Sequence, residues 1–155
     1  MVTLLGCTVS HPAAPPPVVT EVSETAPGDG PTSHGLPNQV PTQLTQGRWL
    51  AVRLDTTSIE PVRKQTPCVE FLAGEGRVRG SGGCNRFSAT YVARTNGTLD
   101  ISQIAATKRL CPEDAVERAF FRVLERADAF QLSGDTLYLA DRQNSRIGTF
   151  IPDSR

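Results

Sequence analysis

The residues best suited to chemistry are concentrated in one stretch, Gly80-Ser81-Gly82-Gly83-Cys84-Asn85-Arg86-Phe87. A cysteine acts as a nucleophile or a metal ligand in its thiolate form, which calls for a neighbouring base or further ligands. Both histidines of the chain, His11 and His34, lie far upstream of this stretch, and no C-x-x-C motif is present. We therefore expect no catalytic residues, no metal site and no cofactor.

Gly80-Ser81-Gly82-Gly83 resembles part of a phosphate-binding loop, but the Lys-Ser or Lys-Thr pair that completes such a loop is missing. Glycines here are better explained by positive φ, a bulge or close backbone approach where a sheet bends. Asn85 and Arg86 remain the candidate binding residues. A structural role competes for each, because Asn side chains often bond to nearby backbone and Arg side chains often pair with an acid.

The residues that could form a core are confined to the second part of the chain. All nine aromatic residues lie at Trp49 or later, and all sixteen Lys and Arg lie at Arg48 or later. Eight of the twelve prolines fall between Pro12 and Pro41. A segment without aromatic residues buries too little surface to offset its ordering entropy. The sequence therefore predicts a disordered Pro/Ser/Thr/Gly-rich tether over residues 8–45 and one folded domain over 46–152.

The charge balance excludes a strongly basic protein. The whole chain has 16 basic and 16 acidic residues, and three of the acids, Glu21, Glu24 and Asp29, precede the predicted domain. The domain and C-terminus thus have 16 bases against 13 acids. Such a balance does not predict a nucleic-acid partner, which would require a concentrated basic face.

Short apolar runs separated by turn residues dominate the predicted domain. Alternation and β-branched or aromatic content predict strands at 48–54, 68–72, 77–80, 87–92, 99–101, 104–107, 130–132, 136–140 and 147–151. Asn96-Gly97 predicts a hairpin turn with positive φ at both residues. We expect an α+β fold that is mainly antiparallel: a small bent sheet or partly open barrel of about eight short strands, with one covering helix.

The predicted helix spans about residues 112–127, with Pro112 in its first turn. Its expected apolar face has a spacing of three to four residues and consists of Val116, Phe120, Val123, Leu124 and Ala127. Arg118, Arg122 and Arg126 form a stripe at intervals of four residues. We interpret this stripe as a solvated face, with Asp114 and Glu125 placed to pair with it.

The first residues resemble the end of a bacterial lipoprotein signal. Leu4-Leu5-Gly6-Cys7 matches the lipobox, in which the cysteine is acylated and becomes the mature N-terminus. Met1-Val2-Thr3 supplies neither the basic nor the long apolar region of such a signal, so either the start lies upstream or the match is accidental. We interpret residues 1–7 as the remnant of the signal and expect lipidation at Cys7.

The order of motifs in the predicted domain resembles the META domain, also called the HslJ-like domain. The matching motifs are Gly82-Gly83-Cys84-Asn85-Arg86-Phe87, Tyr91, Leu99-x-Ile101, Ile104-Ala105-x-Thr107, Cys111-Pro112 and Gly134-Asp135-x-Leu137-x-Leu139. Ala89 and Leu110 depart from the family's usual glycine and methionine. The resemblance implies a compact envelope domain without an agreed catalytic residue set. Its relatives are linked to heat shock, antibiotic tolerance, motility or secretion, and some similar small barrels inhibit proteases.

The resemblance also implies a disulfide between Cys84 and Cys111, since the family often has a cysteine pair at these places. Cys68 would then be unpaired and buried in its strand, or paired with Cys84 instead. An exported protein would normally oxidise such a pair.

These observations favour a non-enzymatic cell-envelope lipoprotein domain that binds a protein or supports envelope stress tolerance. The alternative is a small protease inhibitor that acts through an exposed loop such as 55–66. The expected partners are the membrane, through the N-terminal lipid, and an unidentified envelope protein. We expect a monomer in the bacterial envelope that is lipid-anchored and faces the periplasm or the exterior.

Overall fold

The computed structural model describes residues 40–62, 65–112 and 114–154. These residues belong to one compact unit, His34–Arg155. Its elements are a 3-10 turn at Thr42–Thr45, helix α1 at Ala115–Arg126, and strands β1 Arg48–Leu54, β2 Thr57–Ser58, β3 Cys68–Leu72, β4 Arg77–Ser81, β5 Arg86–Ala93, β6 Leu99–Ala106, β7 Ala129–Ser133, β8 Thr136–Ala140 and β9 Arg146–Pro152. The predicted order of short strands around one helix is confirmed.

The strands form a single antiparallel sheet in the order β6-β5-β4-β3-β1-β9-β8-β7, with β2 pairing on β1. The sheet curls until its two ends approach each other. Thr98 and Ala129 form an isolated bridge there, and the Phe130 N–H donates to the Gly97 carbonyl at 2.8 Å. The expected bent sheet or partly open barrel is therefore confirmed.

The core lies on the inner face of this half-barrel, where α1 packs. In β5 every second residue is buried, namely Phe87, Ala89, Tyr91 and Ala93. The helix adds Phe120, Val123 and Leu124, which are fully buried in the same cluster. Alternate residues of each strand consequently point away from the core and form an outer face.

The folded domain begins earlier than predicted. The sequence assigns residues 40–45 to the tether, whereas the structure includes them in the domain. Leu44 is fully buried in the core, and the Trp49 indole N–H donates to the Leu44 carbonyl at 3.0 Å. One apolar side chain and one indole partner hold this turn, although its composition resembles that of the tether.

Helix α1 is shorter than predicted, and four of the five residues of its predicted apolar face, Phe120, Val123, Leu124 and Ala127, are buried. It begins at Ala115, with Asp114 as its N-cap residue, so Pro112 lies outside the first turn. Val116, which was predicted to face the core, is 37% exposed, whereas Glu117 and Ala119 are buried. The predicted pairing of Asp114 with Arg118 is confirmed, but Arg126 pairs with acids outside the helix. Within the part of the chain that the structure describes, no helix has the length and apolarity needed to cross a bilayer.

The turn at Asn96-Gly97 also differs from the prediction. Gly97 has a φ of 88°, but Asn96 is not among the residues with positive φ. Its side-chain oxygen instead accepts a hydrogen bond from the Thr98 N–H at 3.0 Å. The two predicted pieces that follow form one strand, β6, whose pairing with β5 is irregular opposite Ala89; Gln103, at a φ of 55°, lies in this region.

Candidate functional site

The stretch rich in glycine and cysteine closes around a buried acid of the helix. One carboxylate oxygen of Glu117, Oε2, accepts hydrogen bonds from the backbone N–H groups of Cys84 at 3.1 Å and Asn85 at 2.7 Å. The other oxygen, Oε1, accepts from the Asn85 side-chain amide at 2.5 Å. Charge-assisted hydrogen bonds of this kind are about twice as strong as neutral ones. Glu117 thus ties the start of α1 to the β4–β5 turn.

Asn85 extends the same network to the segment that leads into the helix. Its side-chain oxygen accepts from the Thr107 hydroxyl at 2.9 Å and from the Arg109 N–H at 2.7 Å. Asn85 is only 6% exposed, and both ends of its amide are engaged. We call Glu117, Asn85, Thr107 and the Cys84–Cys111 pair the Glu117 cluster. Asn85, one of the two candidate binding residues, therefore lies inside a structural network.

The predicted disulfide between Cys84 and Cys111 is confirmed. It joins the β4–β5 turn to the segment before α1, with a Cα–Cα distance of 6.4 Å. Cys68 is a free cysteine buried in β3. Of the two alternatives for Cys68, burial in its strand is therefore confirmed and pairing with Cys84 is wrong. The bridge and the Glu117 hydrogen bonds link the same two parts of the chain.

Cys84, Cys111 and Glu117 are also close enough to be considered as metal ligands, since their ligand atoms lie within 4.8 Å of one another. The donor set does not fit an ion in this form. The two sulfurs are bonded to each other, and the carboxylate already accepts three hydrogen bonds. We interpret the group as a structural junction.

The Glu117 carboxyl is held in its charged form. Burial alone would raise its pKa, but the hydrogen bonds from the Asn85 backbone, the Asn85 side chain and the Cys84 backbone outweigh burial and lower the pKa. A carboxylate that accepts several N–H bonds behaves in this way. The cluster therefore contains a buried negative charge that is matched by donors.

Two glycines of the stretch are required by this packing. A Cβ atom on Gly82 would lie 2.7 Å from the Glu117 Cγ, which is shorter than side chains tolerate. Gly83 has a φ of +118°, a conformation that side chains other than glycine rarely adopt. The observations at Gly82 and Gly83 both support a structural role for these glycines.

A wide concavity lies on the outer face of the sheet, opposite the core. It is a cleft of about 970 Å³ whose floor is made by outward-pointing side chains of β1, β3, β4, β5 and β9, and whose wall includes Pro61, Val62 and Thr66. We call it the outer cleft. Its size falls within the range of ligand sites in proteins, about 300–1,000 Å³.

Charged groups of both signs line the outer cleft. Arg79 Nε lies 2.9 Å from Glu70 Oε2, and an Arg48 terminal nitrogen lies 3.8 Å from Asp153 Oδ2. Arg86, the second candidate binding residue, also lines the cleft and is exposed. Among the residues that the structure describes, the cleft lining thus combines three guanidinium groups with two carboxylates.

Cys68 lies on the floor of the outer cleft. Burial raises the pKa of its thiol, so it is protonated at neutral pH. Residues 40–154 contain no histidine that could take up its proton. The arginine and apolar side chains that line the cleft are suited to non-covalent binding of a ligand.

The structure separates the predicted site residues. Asn85 and the disulfide belong to the Glu117 cluster, Arg86 lines the outer cleft, and Cys7 lies outside the described residues. Sequence reasoning missed Glu117. A signal was present, because Glu117 stands three residues before Phe120 and seven before Leu124, on the buried face of the helix. An acid on an apolar face indicates a specific buried partner.

Comparisons with known proteins agree with this geometry. The sequence matches the META domain family over residues 42–153. No curated protein matches the chain. A protein solved by NMR is similar in structure, with 22% sequence identity, a TM-score of 0.57, and coverage of 73% of this chain and 94% of that one. The crystal structure of a DUF4847 family protein from Bacteroides vulgatus has 18% identity, a TM-score of 0.53, and coverage of 72% and 96% respectively.

At these identities the two solved structures support the fold alone. The family match covers more than two thirds of the chain and includes every residue of the Glu117 cluster and most of the outer cleft. The chain belongs to the META domain family.

Proposed function

We propose that this chain is a non-enzymatic lipoprotein of the bacterial envelope whose META domain binds another protein through the outer cleft. The observation that carries the proposal is the cleft itself, which presents exposed arginine and apolar side chains on the outer face of the sheet. Arginine is enriched at protein interfaces and at the residues that dominate binding energy. Support of the envelope under stress is the role that we propose for this binding.

The Glu117 cluster also supports binding at the outer cleft, because the polar groups of the cluster are already occupied. Its polar side chains are engaged with one another, so little of the glycine- and cysteine-rich stretch is left for a ligand except Arg86. The first part of the candidate inhibitory loop, Thr57 to Ile59, is held on β1 by the pairing of β2 and by the Ile59 N–H, which donates to the Val52 carbonyl at 2.8 Å. This favours a wall of the cleft over a protruding wedge.

The membrane anchor is a separate part of the proposal. Cys7 follows a lipobox-like sequence, and a tether over residues 8–39 would carry the domain away from the membrane surface. Labelled palmitate should enter the full-length protein, and Cys7→Ser should remove the label and shift the protein from the membrane fraction to the soluble fraction. Equal labelling of both proteins would contradict the anchor.

Binding through the cleft is tested by photocrosslinking in intact cells. Val62 is 55% exposed in the cleft wall, and Val92 is 45% exposed on β5 outside the cleft. Along β5, Val92 lies roughly 20 Å from Arg86 at the usual rise per residue. A photoreactive p-benzoylphenylalanine at Val62 should give a discrete protein adduct, and the same group at Val92 should not. Adducts of equal yield from both sites, or from neither, would contradict the proposal.

A further inference from the structure

The registers of five neighbouring strands place one row of side chains across the floor of the outer cleft. Ile151 of β9 pairs with Leu50 of β1, Leu50 with Cys68 of β3, Cys68 with Ser81 of β4, and Ser81 with Arg86 of β5. All five residues line the cleft. Their neighbours along the strands, such as Trp49, Val69 and Phe87, are buried in the core, so the row points outward.

The polarity of this row changes from one end to the other. Ile151, Leu50 and Cys68 make its first part apolar, and Ser81 and Arg86 make its last part polar and cationic. The four gaps between five strands, at ~4.8 Å each, span about 19 Å. An extended peptide at ~3.3 Å per residue covers that length with about six residues.

A second row of side chains lies two residues further along each strand. In this row, basic and acidic side chains neutralise one another. Arg48 pairs in register with Glu70, and Glu70 with Arg79. Glu70 and Arg79 form the closer ion pair, and Asp153 lies beside Arg48. The arginines of this row therefore already have acidic partners.

Arg86 differs from the other two arginines of the cleft. Within residues 40–62, 65–112 and 114–154, no carboxylate lies within ion-pair distance of its guanidinium group. It also lines a smaller concavity of about 350 Å³ that extends past Phe87 to Ala105 and Ala106. A ligand carboxylate would accept charge-assisted hydrogen bonds from the guanidinium N–H groups of Arg86.

We propose that the outer cleft takes an extended, acidic protein segment with apolar side chains at one end and a carboxylate about four to six residues away. The carboxylate pairs with Arg86, and the apolar side chains lie over Leu50 and Ile151. This inference rests on the proposed protein-binding function and specifies the chemistry of the partner. Charge complementarity to Arg86 and the apolar start of the row are the two features that select such a segment.

The test is direct binding of a defined probe to the full chain, measured by isothermal titration calorimetry. The probe is the capped hexapeptide acetyl-Leu-Val-Ser-Thr-Ser-Glu-amide, and its partner probe has Gln in place of Glu. We expect the Glu peptide to bind about tenfold more tightly than the Gln peptide, as for one charge-assisted hydrogen bond. Equal affinity of the two peptides would overturn the inference.

Charge variants locate the contact. Arg86→Glu should weaken binding of the Glu peptide by at least about tenfold, and Arg86→Gln should weaken it to a similar extent without reversing the charge. Arg122→Glu, an exposed change on α1 with the same effect on net charge, should stay within about twofold. An equal loss in Arg86→Glu and Arg122→Glu would show that only net charge matters and would overturn the inference.

Two further outcomes would also overturn it. In one, the protein binds anionic phosphatidylglycerol vesicles, this binding requires Arg86, and the protein does not bind the peptide. The other is a discrete crosslink from Val62 in cells without any peptide binding. The second outcome would reject the acidic segment and leave the proposed protein-binding function intact, so failures of the two proposals are distinguishable.

Discussion

Replacing Glu117 with alanine should lower the free energy of unfolding by about 3–4 kcal/mol. The substitution removes the acceptor of three hydrogen bonds and leaves the N–H groups of Cys84 and Asn85 and the Asn85 amide without their partner in a largely buried position. Each buried donor that loses its partner costs about 1–3 kcal/mol, and entering water recovers part of the sum. The measurement is the midpoint of urea unfolding at neutral pH.

Glu125→Ala is the matched control for this prediction. Glu125 lies on the same helix but is exposed, so its loss should change stability by no more than about 0.5 kcal/mol. Equal effects of the two substitutions would contradict the role assigned to Glu117.

The stabilising contribution of the Glu117 carboxylate should be lost in acid, so the free energy of unfolding should fall at low pH. The pKa of Glu117 in the folded protein is lowered from its ordinary value of 4.5, so the unfolded chain takes up the proton at a higher pH. Its contribution is therefore fully present above the ordinary value and is lost as the pH falls through the lowered one. Asp141 shifts in the same direction. The difference between the wild type and Glu117→Gln isolates the Glu117 contribution, and parallel pH profiles would contradict it.

Loss of the Cys84–Cys111 bridge should have an effect of similar size. The bridge spans a sequence separation of 27 residues. On the chain-entropy account, closing a loop of that length stabilises the folded state by about 3–4 kcal/mol. Replacing both cysteines with serine should lower the free energy of unfolding by that amount, measured by urea unfolding without reductant.

Reductant provides the control for the bridge. Dithiothreitol should destabilise the wild type to about the level of the double serine variant and leave the double variant unchanged. A wild type whose unfolding midpoint does not respond to reductant would contradict a stabilising bridge. Because the bridge and Glu117 join the same segments, their losses should not be simply additive.

Most strand spans were predictable from the sequence because those strands carry their own local signal, whereas the short strand β2 and the continuity of β6 were not predicted. Arg48–Leu54 and Cys68–Leu72 alternate or concentrate apolar residues between turn residues, and the structure places strands at the same bounds. The disulfide followed from a family resemblance, since spacing alone does not determine how three domain cysteines pair.

The start of the helix was not predictable from propensity alone. Pro112 is a favourable first helical residue, but the chain around it is held by the disulfide and by Asn85, which accepts from the Arg109 N–H. The helix therefore begins only at Ala115, and Glu117 is drawn inward by backbone donors that lie 32 and 33 residues earlier in the sequence. The helical spacing indicates that Glu117 is buried, but it does not identify donors so distant in the sequence.

The outer cleft was beyond the reach of sequence reasoning for the same reason. Its floor depends on the register of five strands, which brings together residues from Leu50 to Ile151. Local patterns indicate which residues alternate, but they do not determine which strands are neighbours. Arg86 could be named from its motif, whereas its place in one row with Ser81, Cys68 and Leu50 could not.

The central claim is that the glycine- and cysteine-rich stretch holds the fold while the outer cleft binds. Its most direct test is a titration of the ¹⁵N-labelled full chain with the Glu hexapeptide, followed by two-dimensional ¹H–¹⁵N NMR. We expect the amide signals of Leu50, Cys68 and Ile151 to shift and those of Gly83 and Glu117 to stay in place. Shifts confined to Gly83, Glu117 and the start of α1, with the cleft residues unchanged, would contradict the claim.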